Sequence, residues 1–189
     1  MLNAEVHISA TTGTTGAGQK PGSTTHFSWR NNNLSVYKAF EHQHLDEIGE
    51  SLTYNPSPKG EGSSSDAPAP SERAGVSINF IPYRGDFARG IMASTYLDSD
   101  LTLEEAEKLF TDFYAEHPFT HISKQNIDLK QVVNTNKCLI HIEKHGDKLL
   151  ILSIIDNLLK GASGQAVQNM NLMFGLDEMA GLRLKASYF

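Results

Sequence analysis

Two apolar runs, Cys138 to Glu143 and Lys148 to Ile155, stand on either side of His145-Gly146-Asp147. No other feature narrows the fold as much. Each run has the length and composition of a strand, and a glycine-containing turn between two such runs reads as a β-hairpin. Other stretches take a similar form. Glu5 to Ala10 and Val76 to Ile81 alternate with period two, and Pro82 is expected to end the second. Ile91 to Leu97 and Phe119 to Ser123 are further strand candidates.

Helical signals are fewer. Thr102-Leu103-Glu104-Glu105 reads as a capping box, with the threonine at the N-cap and Glu105 reaching back. The helix it opens places Leu103, Ala106, Phe110 and Phe113 on one face. His44 to Leu52 is a short helix candidate, and a long helix is expected after Asn157, running to about Phe174 and stopping before Gly175. Several strands with two long helices predict an α+β fold: a mixed, largely antiparallel sheet with helices packed on one face.

One tract breaks this pattern. From Asn55 to Gly75, 15 of 21 residues are Pro, Gly, Ser or Ala. Such a stretch buries too little apolar surface to offset the entropy of ordering it. It is expected to be a disordered insertion in one domain made of residues 1–54 and 76–189. The alternative is a boundary between two domains, but the piece before it is too short to fold alone.

Composition removes several function classes. The net charge of −6 argues against a dedicated nucleic-acid binder. Cys138 is the only cysteine, which excludes an internal disulfide framework and a Cys-rich metal site. The longest apolar stretch, Leu149 to Ile155, falls far short of the roughly 20 residues a membrane helix needs. Met-Leu-Asn-Ala-Glu at the start has no signal-peptide character, so no membrane association and a cytoplasmic location are expected.

Five features carry possible chemistry. His42-Gln43-His44 puts two imidazoles close together, which suits acid–base work, a metal, or two surface histidines near a helix start. Gly13-Thr14-Thr15-Gly16-Ala17-Gly18 suits close backbone approach to an anion or flat ring, or a plain turn. Cys138 and His141 would face opposite sides of a strand, which favours a buried core cysteine over a nucleophile. Arg89-Gly90-Ile91, after a polar loop with Arg84 and Asp86, suits a carboxylate or phosphate clamp or a surface ion pair. Asp156 to Asn171 packs small residues into a helix start, either to approach a ligand or to pack tightly on the sheet.

These residues together resemble a known family. Asp156-Asn157-Leu158-Leu159-Lys160-Gly161-Ala162-Ser163-Gly164 is similar to the closing signature of N-acetyl-γ-glutamyl-phosphate reductase, a relative of aspartate-semialdehyde dehydrogenase. Thr12 to Gly18 resembles that family's Ser-Gly-x-Ser-Gly-Ala-Gly loop. His42 to Ile48 resembles its His-Arg-His-Thr-Pro-Glu-Ile, with Gln43 in place of Arg and Leu45-Asp46 in place of Thr-Pro. Arg89-Gly90-Ile91 follows Phe80-Ile81-Pro82 as in the family's Phe-x-Pro strand and Arg-Gly-Ile. The resemblance covers nearly the whole chain outside 55–75.

The resemblance implies a reductase that converts N-acetyl-γ-glutamyl phosphate to the semialdehyde with NADPH, through a thioester on a cysteine. It implies His42 as acid/base, and His44, Glu47 and Arg89 as substrate-side residues. Gly16, Ala17, Gly18, Asn157, Lys160 and Gly161 would face the nicotinamide end of NADP. A homo-oligomer, dimer or tetramer, is implied, with the sheet face away from the helices meeting the partner. The family's N-terminal Rossmann domain, which binds most of the cofactor, and its Asn-Pro-Gly-Cys-Tyr-type nucleophile motif have no counterpart here. The chain is therefore expected to be the catalytic-and-dimerisation half, inactive alone. The alternative is a non-catalytic oligomerisation module or a decayed fragment.

Overall fold

The structure, a computed structural model, describes residues 4–18, 20, 22–52 and 76–186. The tract expected to be an insertion, 55–75, lies outside the described residues. Strands from both sides of it share one seven-stranded sheet.

In chain order the strands are β1 (Ala4–Thr12), β2 (Ser35–Val36), β3 (Val76–Arg84), β4 (Ile91–Asp98), β5 (Thr120–Ser123), β6 (Cys138–His145) and β7 (Lys148–Ile155). The helices are α1 (Phe27–Arg30), α2 (His44–Leu52), α3 (Leu103–Phe113) and α4 (Gly164–Met173). In space the strands run β2-β3-β1-β4-β7-β6-β5. β1–β3 and β5–β6 are parallel, and the other four pairs are antiparallel. The sheet is thus mixed and largely antiparallel, as the alternating runs predict. His145 pairs with Lys148. That leaves Gly146, at φ 59°, and Asp147 to make the hairpin turn.

Register fixes what each face does. Leu97 stands opposite Leu149, and Ile142 opposite Ile151, all on one face. There they pack with Ile140 and the fully buried Ala106 of α3. On the other face, Leu139, Leu152, Ile154 and Met92 pack with Ile127, Leu129 and Val132 of the 124–137 connection. Burying such side chains contributes about 1.5–3 kcal/mol each, before entropy is counted.

Three local expectations change. Pro82 does not end its strand: it sits inside β3, opposite Ala10, and its carbonyl accepts from the Tyr37 N–H at 3.1 Å. The buried stripe of α3 is Ala106, Phe110 and then Tyr114, while Leu103 and Phe113 stay exposed. Successive steps of four residues carry the stripe away from the predicted line. The helix after Asn157 opens as a π-helical turn, Leu159–Ser163, before α4 begins. Buried Asp156 accepts from the Leu158 and Leu159 N–H groups at 2.8 and 2.9 Å, which shapes that opening.

Candidate functional site

Four strand ends meet at one edge of the molecule. β1 ends at Thr12 and its parallel neighbour β3 at Arg84, while β4 starts at Ile91 opposite Ile155, the last residue of β7. A cavity of about 510 Å³ opens there, on the sheet face that carries α3. Loops leaving parallel strands at their carboxyl ends commonly build such a site.

The glycine-rich turn forms one wall. Gly13 leaves β1 and packs directly on the 87–90 loop; a Cβ at this position would lie 2.7 Å from the Ala88 carbonyl oxygen. Its N–H donates to the Gly90 carbonyl at 2.8 Å, and Thr14 N–H donates to Phe87 at 2.7 Å. The Thr15 hydroxyl donates to the Ala88 carbonyl at 2.7 Å and accepts from Asn157 Nδ2 at 3.0 Å. Asn157 closes the circuit by accepting from the Gly90 N–H at 2.7 Å. The turn is held as one unit, with Gly16 and Ala17 facing the cavity beside Asn157 and Gly161.

Histidines form the opposite wall. His42 precedes α2, and its Nδ1 accepts from the His44 backbone N–H at 3.2 Å. That hydrogen bond assigns the neutral ring's proton to Nε2. The two imidazoles meet edge to face at 4.5 Å, and His42 touches the Tyr37 and Phe80 rings at 5.5 Å. Burial lowers the His42 pKa, as do the positive neighbours His44, Lys38 and Arg84, with Glu47 opposing them. A neutral imidazole follows at neutral pH, able to accept one proton and return it.

Of the residues predicted from sequence, Gly16, Ala17, His42, His44, Asn157 and Gly161 line this cavity. Glu47 lies close enough to act on His42 by charge. Gly18, at φ 76°, lies outside the lining and faces open space. Lys160 donates to Gln168 Oε1 at 2.8 Å and lies over the Phe119 ring. Arg89 donates to Asp156 at 3.0 Å and to Asn134 at 2.5 Å, inside the wall of the site. Cys138 packs against the α3 cluster, where burial raises its thiol pKa against the pull of Lys160. Among the described residues no group of His, Cys, Asp or Glu side chains converges as a metal site. No described helix is long and apolar enough to cross a membrane.

Sequence reasoning missed four participants. Arg30, Tyr37 and Lys38 belong to a stretch with no motif, and Thr15 reads as one more turn threonine. Arg84, read from the sequence as part of a polar loop, is instead the last residue of β3, two residues beyond Pro82 and four beyond Phe80, on the cavity face.

The mixed seven-stranded sheet with its helices is the fold of a semialdehyde dehydrogenase dimerisation domain. The family described as semialdehyde dehydrogenase, dimerisation domain, matches residues 1–157, and the chain belongs to it. N-acetyl-gamma-glutamyl-phosphate reductase of Bacteroides fragilis is 61% identical over all 189 residues, which cover 54% of that protein. The same-named protein of Bacteroides thetaiotaomicron is 59% identical over the same span and also 54% covered. The chain thus spans about half the length of the curated relatives it matches. A crystal structure of aspartate semialdehyde dehydrogenase II from Vibrio cholerae, complexed with ASA, shares the fold at a TM-score of 0.61 and 10% identity. The match covers 90% of this chain and 55% of that one.

Proposed function

We propose that this chain is the C-terminal half of a reductase acting on N-acetyl-γ-glutamyl phosphate, in the arginine pathway of the cytoplasm. The observation that carries this reading is the gathering of His42, His44, Gly16 and Asn157 around one cavity, in a chain 61% identical to such a reductase. Chemistry on an acyl phosphate needs a nucleophile, and Cys138, half-buried against the α3 cluster with its thiol pKa raised, is unsuited to that role. The nucleophile therefore comes from outside these 189 residues, and the chain alone is inactive.

The residues present fit the nicotinamide end of NADPH. Gly16 leaves room for a flat ring: a Cβ there would stand 3.4 Å from Thr12 Oγ1 and 3.6 Å from Asn157 Nδ2. Ala17, Gly161 and Asn157 complete that wall, with Gly18 and Lys160 outside the lining. NADPH, when bound, supplies the hydride. His42, neutral and held by the His44 N–H, takes the proton of the incoming thiol and returns it to the sulfur as the carbon–sulfur bond breaks and the aldehyde leaves. His44 and Glu47 position His42 and meet the substrate. Arg89 is a positioning residue, fixing Asp156 and through it Asn157.

Self-association fits the same reading. The sheet face away from α3 carries exposed Ser9 and Tyr96, with His7 stacked on Tyr96 at 4.6 Å. This face meets a second copy of the chain in a homo-oligomer.

The test joins this chain to the part of the Bacteroides fragilis protein that it does not span. NADP⁺ reduction is then followed with N-acetylglutamate semialdehyde and phosphate. Activity is expected in the joined protein, none in this chain alone, and a loss of roughly 100-fold or more in His42→Asn. An inactive joined protein beside an active parent, or an unaffected His42→Asn, overturns the reading.

A further inference from the structure

Charge around the cavity is one-sided. Arg30, Lys38 and Arg84 line it with the two histidines, and among the described residues no carboxylate does. Arg84 lies over the Tyr37 ring, its Cζ 3.9 Å from the centroid. That stack occupies the face of the guanidinium and not its N–H edge.

Arg30 is the sharper case. It closes α1 and is only 7% exposed. Its Nε, Nη1 and Nη2 are all buried, and none has a hydrogen-bond partner among the described residues. Asp86 attracts it at a distance, but that carboxylate already accepts from the Asn32 N–H at 2.6 Å. An arginine keeps its proton even when buried, so its charge stays. A buried cation without a partner is strongly unfavourable, and evolution tolerates one where a ligand completes it.

We propose that Arg30, with Arg84 beside it, forms an oxyanion-binding site in this cavity, taking a carboxylate or phosphate group on paired guanidinium N–H bonds. Arg30 supplies the buried edge, Arg84 the second cation fixed by its ring stack, and Lys38 a further positive charge on the same wall. The origin of the anion rests on the reductase reading, whose substrate carries a carboxylate at one end and a phosphate at the other. The site itself rests on Arg30, buried and charged, with no nitrogen of its guanidinium partnered among the described residues.

Two probes separate the sources: inorganic phosphate and N-acetyl-L-glutamate, each titrated into the 189-residue chain. Thermal melting and the arginine Nε–H NMR signals are followed. One probe is expected to raise the melting temperature and shift the Arg30 signal. Phosphate assigns the leaving-group end, and a response to N-acetyl-L-glutamate alone assigns a carboxylate. Arg30→Met should weaken that binding on the order of 10- to 100-fold. It should also raise the melting temperature of the free chain, because an apolar side chain of similar length replaces an unpaired charge. Arg30→Lys keeps the charge without the paired edge and should fall between. Should Arg30→Met fail to fold, Arg84→Gln carries the test, with binding about tenfold weaker.

No response of the wild-type chain to either probe overturns the proposal. So does a lower melting temperature in a folded Arg30→Met with anion binding intact, which makes Arg30 structural. Anion binding that persists while the joined protein shows no reductase activity sinks the functional reading and leaves the site. Full activity with unchanged KM in a joined Arg30→Met protein sinks the site and leaves the function.

Discussion

Arg89 donates to the carboxylate of Asp156 at 3.0 Å, across 67 residues of chain. The contact ties the loop before β4 to the end of β7, the two pieces between which Asn157 is held. Asp156 is fully buried. Besides Arg89 it accepts from the backbone N–H groups of Asn134, Leu158 and Leu159, at 2.7 to 2.9 Å. Burial alone would raise its pKa, but these four donors hold it below the ordinary carboxylate value. Asp156→Ala strips four donors of their acceptor and should cost about 3–5 kcal/mol. Arg89→Gln leaves three of them satisfied and should cost about 1–3 kcal/mol. Urea unfolding at neutral pH ranks the two, and a reversed order refutes this account. The stabilisation is present above the carboxylate range, near pH 4, and is lost as pH falls through the folded pKa. Asp156→Asn should therefore flatten the acid limb of the stability curve.

Gly13 and Gly161 make a contrasting pair. A Cβ on Gly13 meets backbone at 2.7 Å, so Gly13→Ala must push the 14–17 turn off the 87–90 loop, at about 1–3 kcal/mol. A Cβ on Gly161 finds its nearest neighbour at 3.6 Å, so Gly161→Ala should stay within about 0.5 kcal/mol. Thermal melts compare them directly. Equal losses would mean that the turn is not seated as described.

Much of this was legible because it is written in local chemistry. The hairpin at Gly146, the alternation of β1 and β3, and the histidine pair at the start of α2 depend on residues close in sequence. The π-helical opening after Asn157 was not legible, since it answers to a carboxylate bonded to Asn134 and Arg89 from far along the chain. Pro82 misled because its lost N–H matters only if a neighbour needs it, and here its carbonyl makes the contact. Arg30 carried no signal at all: its significance lies in having no partner among the described residues, a property of three-dimensional surroundings. Arg89 looked like a ligand clamp and sits in the wall, because sequence shows an arginine near a site but not which way its charge is spent.

Thr102 tests the local end of that spectrum. Its hydroxyl accepts from the Glu105 N–H at 3.2 Å, and its own N–H donates to Glu105 Oε2 at 2.8 Å, so both arms of the capping box are formed. Thr102→Ala removes the first arm and should cost about 1 kcal/mol. Urea unfolding reads the change, and a loss near zero would show that packing of Ala106 and Phe110 alone fixes the start of α3.

His42 offers the prediction that reaches furthest toward chemistry. Burial, His44, Lys38 and Arg84 lower its pKa from the ordinary 6.5, and Glu47 opposes them. An NMR titration of the ring should show a midpoint below that value. Lys38→Met removes a positive neighbour and should move the midpoint up, while Glu47→Gln removes the opposing charge and should move it down. The folded chain resists protonation at His42 where the unfolded chain accepts it. This contribution to stability is therefore complete above the unfolded imidazole range and is lost as pH falls through it toward the folded pKa. His42→Asn should make stability less steep over that interval. A midpoint at or above 6.5, or the same response to both substitutions, would remove the electrostatic basis for a neutral proton-carrying imidazole at this position.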